Sequence, residues 1–348
     1  MGVKTYDAAV LGATGAVGQK FVQLLEDHPW FRLTEVVGSD RHAGEAYGDA
    51  VRWAEGSPLP DGIRDLPLRT DVDGLDAEVV FSALPGGKAG PVERALAARG
   101  HRVFTNARDL RMEPDVPLVI AEVNPDHLAL VEAQGHAGDG FVVANGNCTA
   151  ILLSLALKPL ADRFGLEACH VVSMQALSGA GYPGVPGLDI VDNVLPFIPE
   201  EETKVVAEVP RFFGTIDRGR VTPAPIAVSA TCTRVPVLEG HMLAVSAGLR
   251  ATPSREEICE AFRSFRGEPQ RLRLPSAPQT PVVLREEEDR PQPRRDRDAG
   301  GGMSVSVGRV RPDPLLGWSF VAAGSNTIRG AAGGSILNAE LAAVRGFL

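Results

Sequence analysis

The stretch "VLGATGAVGQKF", Val10 to Phe21, decides how the chain is read. It sets glycines at 12, 15 and 18 directly after the strand-like "DAAVLG" and at the opening of the helix-like "GQKFVQLLED". Glycines let a backbone approach a pyrophosphate, and a helix N-terminus offers unpaired N–H groups with a partial positive charge. A glycine run alone is a weak sign; its place between a strand and a helix gives it meaning. Spacing excludes a triphosphate-binding loop, because Gln19 follows Gly18 and no Gly-Lys-Ser/Thr stands there. The candidate cofactor contacts here are Gly12, Thr14, Gly15, Ala16, Val17 and Gly18. About twenty residues on, where the ribose is usually met, "VVGSDRHAG" carries Ser39 and Arg41, which favour NADP. Asp40 faces either the ribose or solvent.

Outward from this loop, the strand-like "LTEVVGS", "AEVVFSALP", "HRVFTNA" and "DGFVVANG" alternate with helical runs such as "AGPVERALAARG", which closes on Gly100. That alternation is the mark of βαβ units and a parallel sheet. After Thr149 the strand-like runs "EACHVVSMQALSG", "IAVSATCTRVPV" and "GHMLAVSAGL" grow longer and alternate, which predicts a mixed or antiparallel sheet. The expected fold class is α/β, with an N-terminal Rossmann-like parallel-sheet domain over 1–148 and an α+β domain over 149–326. The last stretch, "AAGGSILNAELAAVRGFL", returns to a helical period. Composition alone makes Leu284–Gly302, rich in charge, proline and glycine, a solvated mobile loop.

Bulk properties agree. A chain of 348 residues exceeds the size at which single cores usually stop growing, so two domains are expected. The net charge of −9 argues against nucleic acid as a partner. No apolar run approaches the ~20 residues that span a bilayer, so no membrane partner is expected. Asp7 and the following glycines interrupt any signal-peptide core, which points to the cytoplasm. Of the four cysteines, Cys148, Cys169, Cys232 and Cys259, no spacing gives a zinc site or a redox pair, and no metal is expected. Cys169, Cys232 and Cys259 read as small buried hydrophobes.

Cys148 does not. In "ANGNCTAILLSLAL" it stands between a turn-forming Asn-Gly-Asn run and an apolar helix, at the first turn. Unpaired N–H groups there stabilise a thiolate, and the same groups suit an oxyanion on a substrate carbonyl. A thiol nucleophile also needs a proton shuttle. Of seven histidines, His28, His42, His101, His127, His136 and His170 sit in strands, loops or polar helical surroundings. His241 follows a glycine in "TRVPVLEGHML", seven residues after Arg234, so a strand and a turn can bring both to one rim. "QALSGAGYPG" reads as a glycine-rich loop after a strand, and "PEEETKVVAE" as a solvated acidic helix face.

Taken as a set, "LGATGAVGQKFVQLLEDHPWF", "NGNCTA", "QALSGAGYPG", "TRVPVLEGH", "DRPQPRRDRDAGGGM" and "NTIRGAAGGSILNAEL" resemble the aspartate-β-semialdehyde dehydrogenases, in the branch found in archaea, fungi and some bacteria. The resemblance runs end to end and in order. It implies reduction of aspartyl 4-phosphate by NADPH to the semialdehyde and inorganic phosphate, on the route to lysine, diaminopimelate, threonine and methionine. Cys148 is then the nucleophile and His241 the acid–base residue. Gln175 orients the cysteine or the bound intermediate. Arg234 grips the substrate α-carboxylate with a fork of matching shape. Glu201 meets the substrate ammonium, while Lys204, Arg111 and the neighbouring Asn106 serve the phosphate. Asn326 resembles a cofactor contact, and Ser82 and Gly179 complete that candidate set. The tail, 327–348, is implied to pack back on the nucleotide domain. Architecture and thiol chemistry are those shared with glyceraldehyde-3-phosphate dehydrogenase, and the second domain is implied to build a homodimer or homotetramer. The resemblance also implies that Leu284–Gly302 is ordered, near the site or a subunit contact.

The sequence departs from the family pattern at Ala150, Pro199 and Leu243, and at "AAGSN" before the last motif. These changes remove no chemical group, but they leave room for a relative that takes its acyl group from CoA, as malonyl-CoA reductases do. Two further classes stand as alternatives: a cysteine hydrolase without cofactor, and a nucleotide-binding regulator without activity.

Overall fold

A computed structural model describes residues 4–39, 42–136 and 139–348. The chain divides into two compact units. The first takes the chain up to Val119, Asp126–Asn145 and Ala332–Leu348; the second takes Ile120–Pro125 and Gly146–Ala331.

The first unit is a six-stranded sheet of β1 (Tyr6–Leu11), β2 (Phe31–Val37), β3 (Leu68–Arg69), β4 (Val79–Ser82), β5 (Arg102–Thr105) and β6 (Phe141–Ala144). The order is β3-β2-β1-β4-β5-β6, and each pairing is parallel. This is the doubly wound order, with its switch point between β1 and β4. Its strands are short and apolar on both faces, as sheets covered by helices on both sides require. Helix α1 (Ala16–Leu25) follows β1, the short α2 (Tyr47–Ala50) and α3 (Asp61–Arg64) precede β3, and α4 (Ala89–Ala98) links β4 to β5. Gly100, just past α4, has a φ of 96°, the left-handed conformation for which glycine ends helices. Phe21, Phe31, Phe81, Phe104 and Phe141 form a continuous ring contact through the core. The C-terminal helix Gly333–Val344 belongs to this unit: Asn338 Nδ2 donates to Val119 O at 2.9 Å, and buried Glu340 meets His28 Nε2 at 2.9 Å.

The second unit holds the mixed sheet expected. Helix α5 (Cys148–Phe164) leads into β7 (Leu166–Gln175), followed by the short α6 (Gly187–Ile190) and by α7 (Glu201–Phe212). A hairpin of β8 (Thr215–Asp217) and β9 (Arg220–Thr222) precedes β10 (Ala227–Arg234) and β11 (His241–Leu249). Then come α8 (Arg255–Ser264), α9 (Glu268–Leu272), β12 (Val282–Leu284), α10 (Pro293–Asp296), β13 (Val305–Asp313) and β14 (Gly317–Gly324). The sheet order is β10-β7-β11-β14-β13-β12, with β10/β7 and β12/β13 parallel and the other pairs antiparallel. One face is core: Cys169, Val171, Leu243, Val245, Phe320 and Ala322 are buried. The alternate residues Val172, Met174, Met242, Ala244 and Val321 are apolar or small yet half-buried.

Composition misled at Leu284–Gly302. This segment is organised on Asp296, fully buried, which accepts from the Gln292 N–H at 2.6 Å and pairs with Arg290 at 2.5 Å and Arg285 at 2.8 Å. Burial alone pushes its carboxyl up, but the Arg290 hydrogen bond, the Gln292 N–H and Arg285 outweigh that and hold it below the usual range. A buried carboxylate needs such partners, and here it draws in Arg285 and Arg290, while residues 286–289, Arg294 and Arg295 stay exposed as composition expects. His127, read from the sequence as lying in polar helical or loop surroundings, is buried, 3% exposed. Among the described residues no helix is long and apolar enough to cross a membrane.

Candidate active site

In the first unit the loop after β1 is shaped by what its glycines exclude. A Cβ on Gly12 would stand 2.6 Å from Ala83 O, beyond the end of β4, so this turn sits at the switch point of the sheet. A Cβ on Gly18 would stand 2.1 Å from Gly12 O, which fixes the tight approach of α1 to the loop. Gly12 has a φ of 72°. No side chain caps the start of α1 and no acidic residue lies in its first turn, so its N–H groups suit the pyrophosphate of a dinucleotide. Thr14, Ala16 and Val17 are half-buried and Gly15 exposed along that turn. Ser39 is exposed two residues past β2. Arg41, with Asp40, lies outside the described residues. Ser82 is fully buried at the end of β4 and donates its hydroxyl to Glu93 Oε1 at 2.7 Å. Its hydroxyl is thus committed inside the unit. Arg111 Nη2 donates to Asn106 O at 2.8 Å, and Asn106 Oδ1 accepts from Asn145 Nδ2 at 2.8 Å.

In the second unit three strand ends meet. Because β10 runs parallel to β7 and β11 antiparallel to it, the last residues of β10 and β7 and the first of β11 fall at one end of the sheet. Those residues are Arg234, Gln175 and His241. Residues that the sequence separates widely are brought together by register alone. Cys148 is the first residue of α5, and its Sγ lies 3.3 Å from His241 Nε2. On its other side, a Cβ on Gly330 would stand 2.7 Å from Cys148 Cβ, so only glycine fits that contact.

The ring of His241 is oriented by the backbone. Ala176 N–H donates to Nδ1 at 3.1 Å, which assigns the neutral ring's proton to Nε2, facing the sulfur. Full burial, then the charge of Arg234, pull the imidazole down to about 3, so it is neutral at physiological pH. Arg234 is buried too, and its Nη1 donates to Ala176 O at 2.8 Å. Burial lowers its guanidinium from the ordinary value, opposed by Cys148 and Glu201. Gly179 lies against both: a Cβ there would stand 2.8 Å from Arg234 Nη1 and 3.0 Å from His241 Cε1. Asn326 ties the same loop to β11, donating to Ser178 Oγ at 2.9 Å and accepting from Gly240 N–H at 3.0 Å.

The acidic run is divided: Glu200 is exposed and Glu202 half-buried, but Glu201 turns inward. Glu201, on the first turn of α7, is buried and accepts from Asn147 Nδ2 at 2.6 Å and Gln175 Nε2 at 3.3 Å, with Lys204 Nζ at 3.5 Å. Gln175 also donates to Ser173 Oγ at 3.2 Å. Cys148, His241, Gln175, Arg234, Glu201, Lys204, Gly179 and Asn326 therefore share the second unit; the glycine loop, Ser39, Ser82, Asn106 and Arg111 share the first. Cys169, Cys232 and Cys259 are buried, and burial pushes the Cys169 and Cys232 thiols up to about 12 and about 11. Ser173 and Gln175 partly offset that rise at Cys232.

One sequence inference needs revision. The Asn147 side-chain oxygen accepts from the N–H groups of Thr149, at 3.0 Å, and Ala150, at 3.1 Å. Two first-turn donors offered to a thiolate or oxyanion are thereby occupied by the helix's own cap. Asn147 was legible as a cap, an Asn directly before an apolar helix. Ala176 and Gly330 act through backbone and absence of a side chain, for which a single sequence gives no signal.

Residues 7–131 match the family described as Semialdehyde dehydrogenase, NAD binding domain, and residues 157–329 match Semialdehyde dehydrogenase, dimerisation domain. The chain belongs to the semialdehyde dehydrogenase family. It is 51% identical to the aspartate-semialdehyde dehydrogenase of Archaeoglobus fulgidus, over 97% of each chain. It is 49% identical to that of Methanothermobacter thermautotrophicus, over 96% of this chain and 98% of the relative. Among solved structures, aspartate semialdehyde dehydrogenase of Candida albicans with NADP superposes with a TM-score of 0.92 at 38% identity, covering 99% of this chain and 100% of that one.

Proposed function

We propose that this chain carries out the aspartate-semialdehyde dehydrogenase reaction: NADPH-dependent reduction of L-aspartyl 4-phosphate to L-aspartate 4-semialdehyde and inorganic phosphate. The observation that carries the reading is the 3.3 Å approach of Cys148 Sγ to His241 Nε2 beside a buried Arg234. It is supported by relatives named for this activity across nearly the whole chain. The first unit, closed by Ala332–Leu348, holds the dinucleotide on the glycine loop; the second unit, with Gly146–Ala331, holds the substrate and the subunit contact.

Cys148 Sγ attacks the acyl carbon, the carbon–oxygen bond to phosphate breaks, and a thioester remains on the sulfur. Bound NADPH would supply the hydride to that acyl carbon; the carbon–sulfur bond then breaks, releasing the semialdehyde and returning the Cys148 thiolate. His241 Nε2–H points at the sulfur and stabilises negative charge there and on the oxygen of the tetrahedral intermediate. Full protonation of the ring requires Nδ1 to release the Ala176 N–H, so charge forms on His241 only as the chemistry proceeds. Arg234, with Nη1 held by Ala176 O, turns its remaining N–H groups to the α-carboxylate. Glu201 Oε2 receives the ammonium, and Lys204 receives phosphate. Gln175, held by Ser173 and Glu201, orients the acyl group.

Assembly as a homodimer, or a tetramer of two such dimers, follows from the second domain. Its support is the half-buried apolar face of Val172, Met174, Met242, Ala244 and Val321, a surface of the kind that a second copy covers. Nothing favours the acyl-CoA alternative. The test is oxidation of aspartate semialdehyde with NADP and NAD in parallel, with phosphate or CoA as acyl acceptor. Turnover that requires phosphate and prefers NADP is expected; turnover with CoA but not phosphate overturns the reading.

A further inference from the structure

Glu208 has no place in the chemistry above, yet it is 2% exposed and its carboxylate faces the residue before the cysteine. Its Oε2 accepts the backbone N–H of Asn147 at 2.6 Å. Two turns earlier on the same face of α7, Glu201 Oε1 accepts from Asn147 Nδ2, also at 2.6 Å. The carbonyl of Asn147 accepts from Ile151 N–H at 2.8 Å, and its side-chain oxygen caps Thr149 and Ala150. Every polar atom of Asn147 is thus engaged. Both ends of the residue are held by α7.

A second observation points the same way. A Cβ on Gly146 would stand 3.0 Å from Glu208 Oε2 and 2.5 Å from Phe212 Cζ. Glycine at 146 is what lets α7, with Glu208 and Phe212, come up to the chain just before the cysteine. The buried stripe of α7, Glu201, Val205, Glu208, Val209 and Phe212, lies along this approach. Cys148 thus stands between the clamped Asn147 and the Gly330 contact, with its sulfur 3.3 Å from His241 Nε2.

We infer that Glu208 is a positioning residue for the nucleophile, setting the Cys148 sulfur against His241 by holding the Asn147 N–H. What matters is the reach of an oxygen acceptor, not its charge. A buried N–H that loses its acceptor is unstable where it stands, so the Gly146–Asn147 peptide, directly before Cys148, shifts when the acceptor is withdrawn. Misplacement of a reacting group by ~1 Å is enough to slow catalysis by about 10²-fold. The inference rests on the thioester reading for its kinetic arm only.

The experiment compares Glu208→Asp, which keeps the charge and shortens the reach by one methylene, with Glu208→Gln, which loses the charge and keeps an oxygen in place. Each is assayed for phosphate-dependent oxidation per titratable Cys148, and for the pH dependence of Cys148 alkylation by iodoacetamide. Glu208→Asp should lower kcat by about tenfold or more with KM values little changed, while Glu208→Gln recovers most of that loss. Equal damage in both variants overturns the inference in favour of charge; unaffected kcat and alkylation in Glu208→Asp overturn it outright. Lower thermal stability with normal kcat per thiol means a merely structural role and also overturns it. Should the wild-type protein lack the phosphate-dependent activity, the alkylation arm still tests the positioning claim by itself.

Discussion

The two units build their candidate sites in opposite ways. In the first, the candidate dinucleotide contact is a short continuous loop of backbone, Gly12 to Gly18, and its demands fall on residues that have no side chain. In the second, the cluster around sulfur comes from five separate segments, joined by side chains buried to 7% exposure or less at Gln175, Glu201, Arg234, His241 and Asn326. The first kind of site fails through bulk in a loop. The second fails when one strand end or helix cap moves.

Three substitutions separate these failure modes. The largest effect belongs to Cys148→Ser, which should lower turnover by at least about 10³-fold while NADP binding, read by fluorescence titration, stays nearly unchanged. Retained turnover excludes a thioester. Next is Gly12→Val, whose side chain collides with Ala83 O at 2.6 Å from Cβ. The expected result is a rise of about 10²-fold in the NADP dissociation constant, with Cys148 alkylation by iodoacetamide unaltered. Alkylation that falls in step with NADP affinity means the two sites do not fail independently.

The smallest effect concerns pH. The His241 imidazole is held at about 3 against an ordinary value of 6.5. Between those values the unfolded chain takes up a proton that the folded chain refuses, so stability falls as pH drops. The loss is at most about 1.4 kcal/mol per pH unit, and it is absent above the upper value. His241→Gln should therefore show a flatter acid limb than wild type in urea denaturation at pH 7, 6 and 5. Parallel limbs in the two proteins mean the imidazole is charged or accessible.

How much of this was legible differs between the units for the same reason. The Rossmann-like sheet announces itself through local patterning: strand, glycine turn, helix, repeated. The mixed sheet was read as a class but not in order, because periodicity says nothing about which strand lies beside which. Residue types at Cys148, Gln175, Arg234 and His241 were visible; spacing set Arg234 and His241 on one rim, and resemblance joined the rest. The acidic run was misjudged at Glu201 because charge in a sequence implies exposure until a partner is known. Glu201 and Glu208 have partners, both on Asn147. Asp296 corrected the Leu284–Gly302 segment for the same reason.

By itself the sequence determined the fold class, the glycine loop after the first strand and the place of a cysteine at a helix start. These depend on neighbours along the chain, where side-chain volume and backbone freedom act within a few residues. Only the tertiary structure decided the tautomer of His241, the closing of the α5 cap by two carboxylates, and the fit of Gly330 against Cys148. Those depend on angles and distances between distant segments, set by sheet register and packing, which no single stretch of sequence contains.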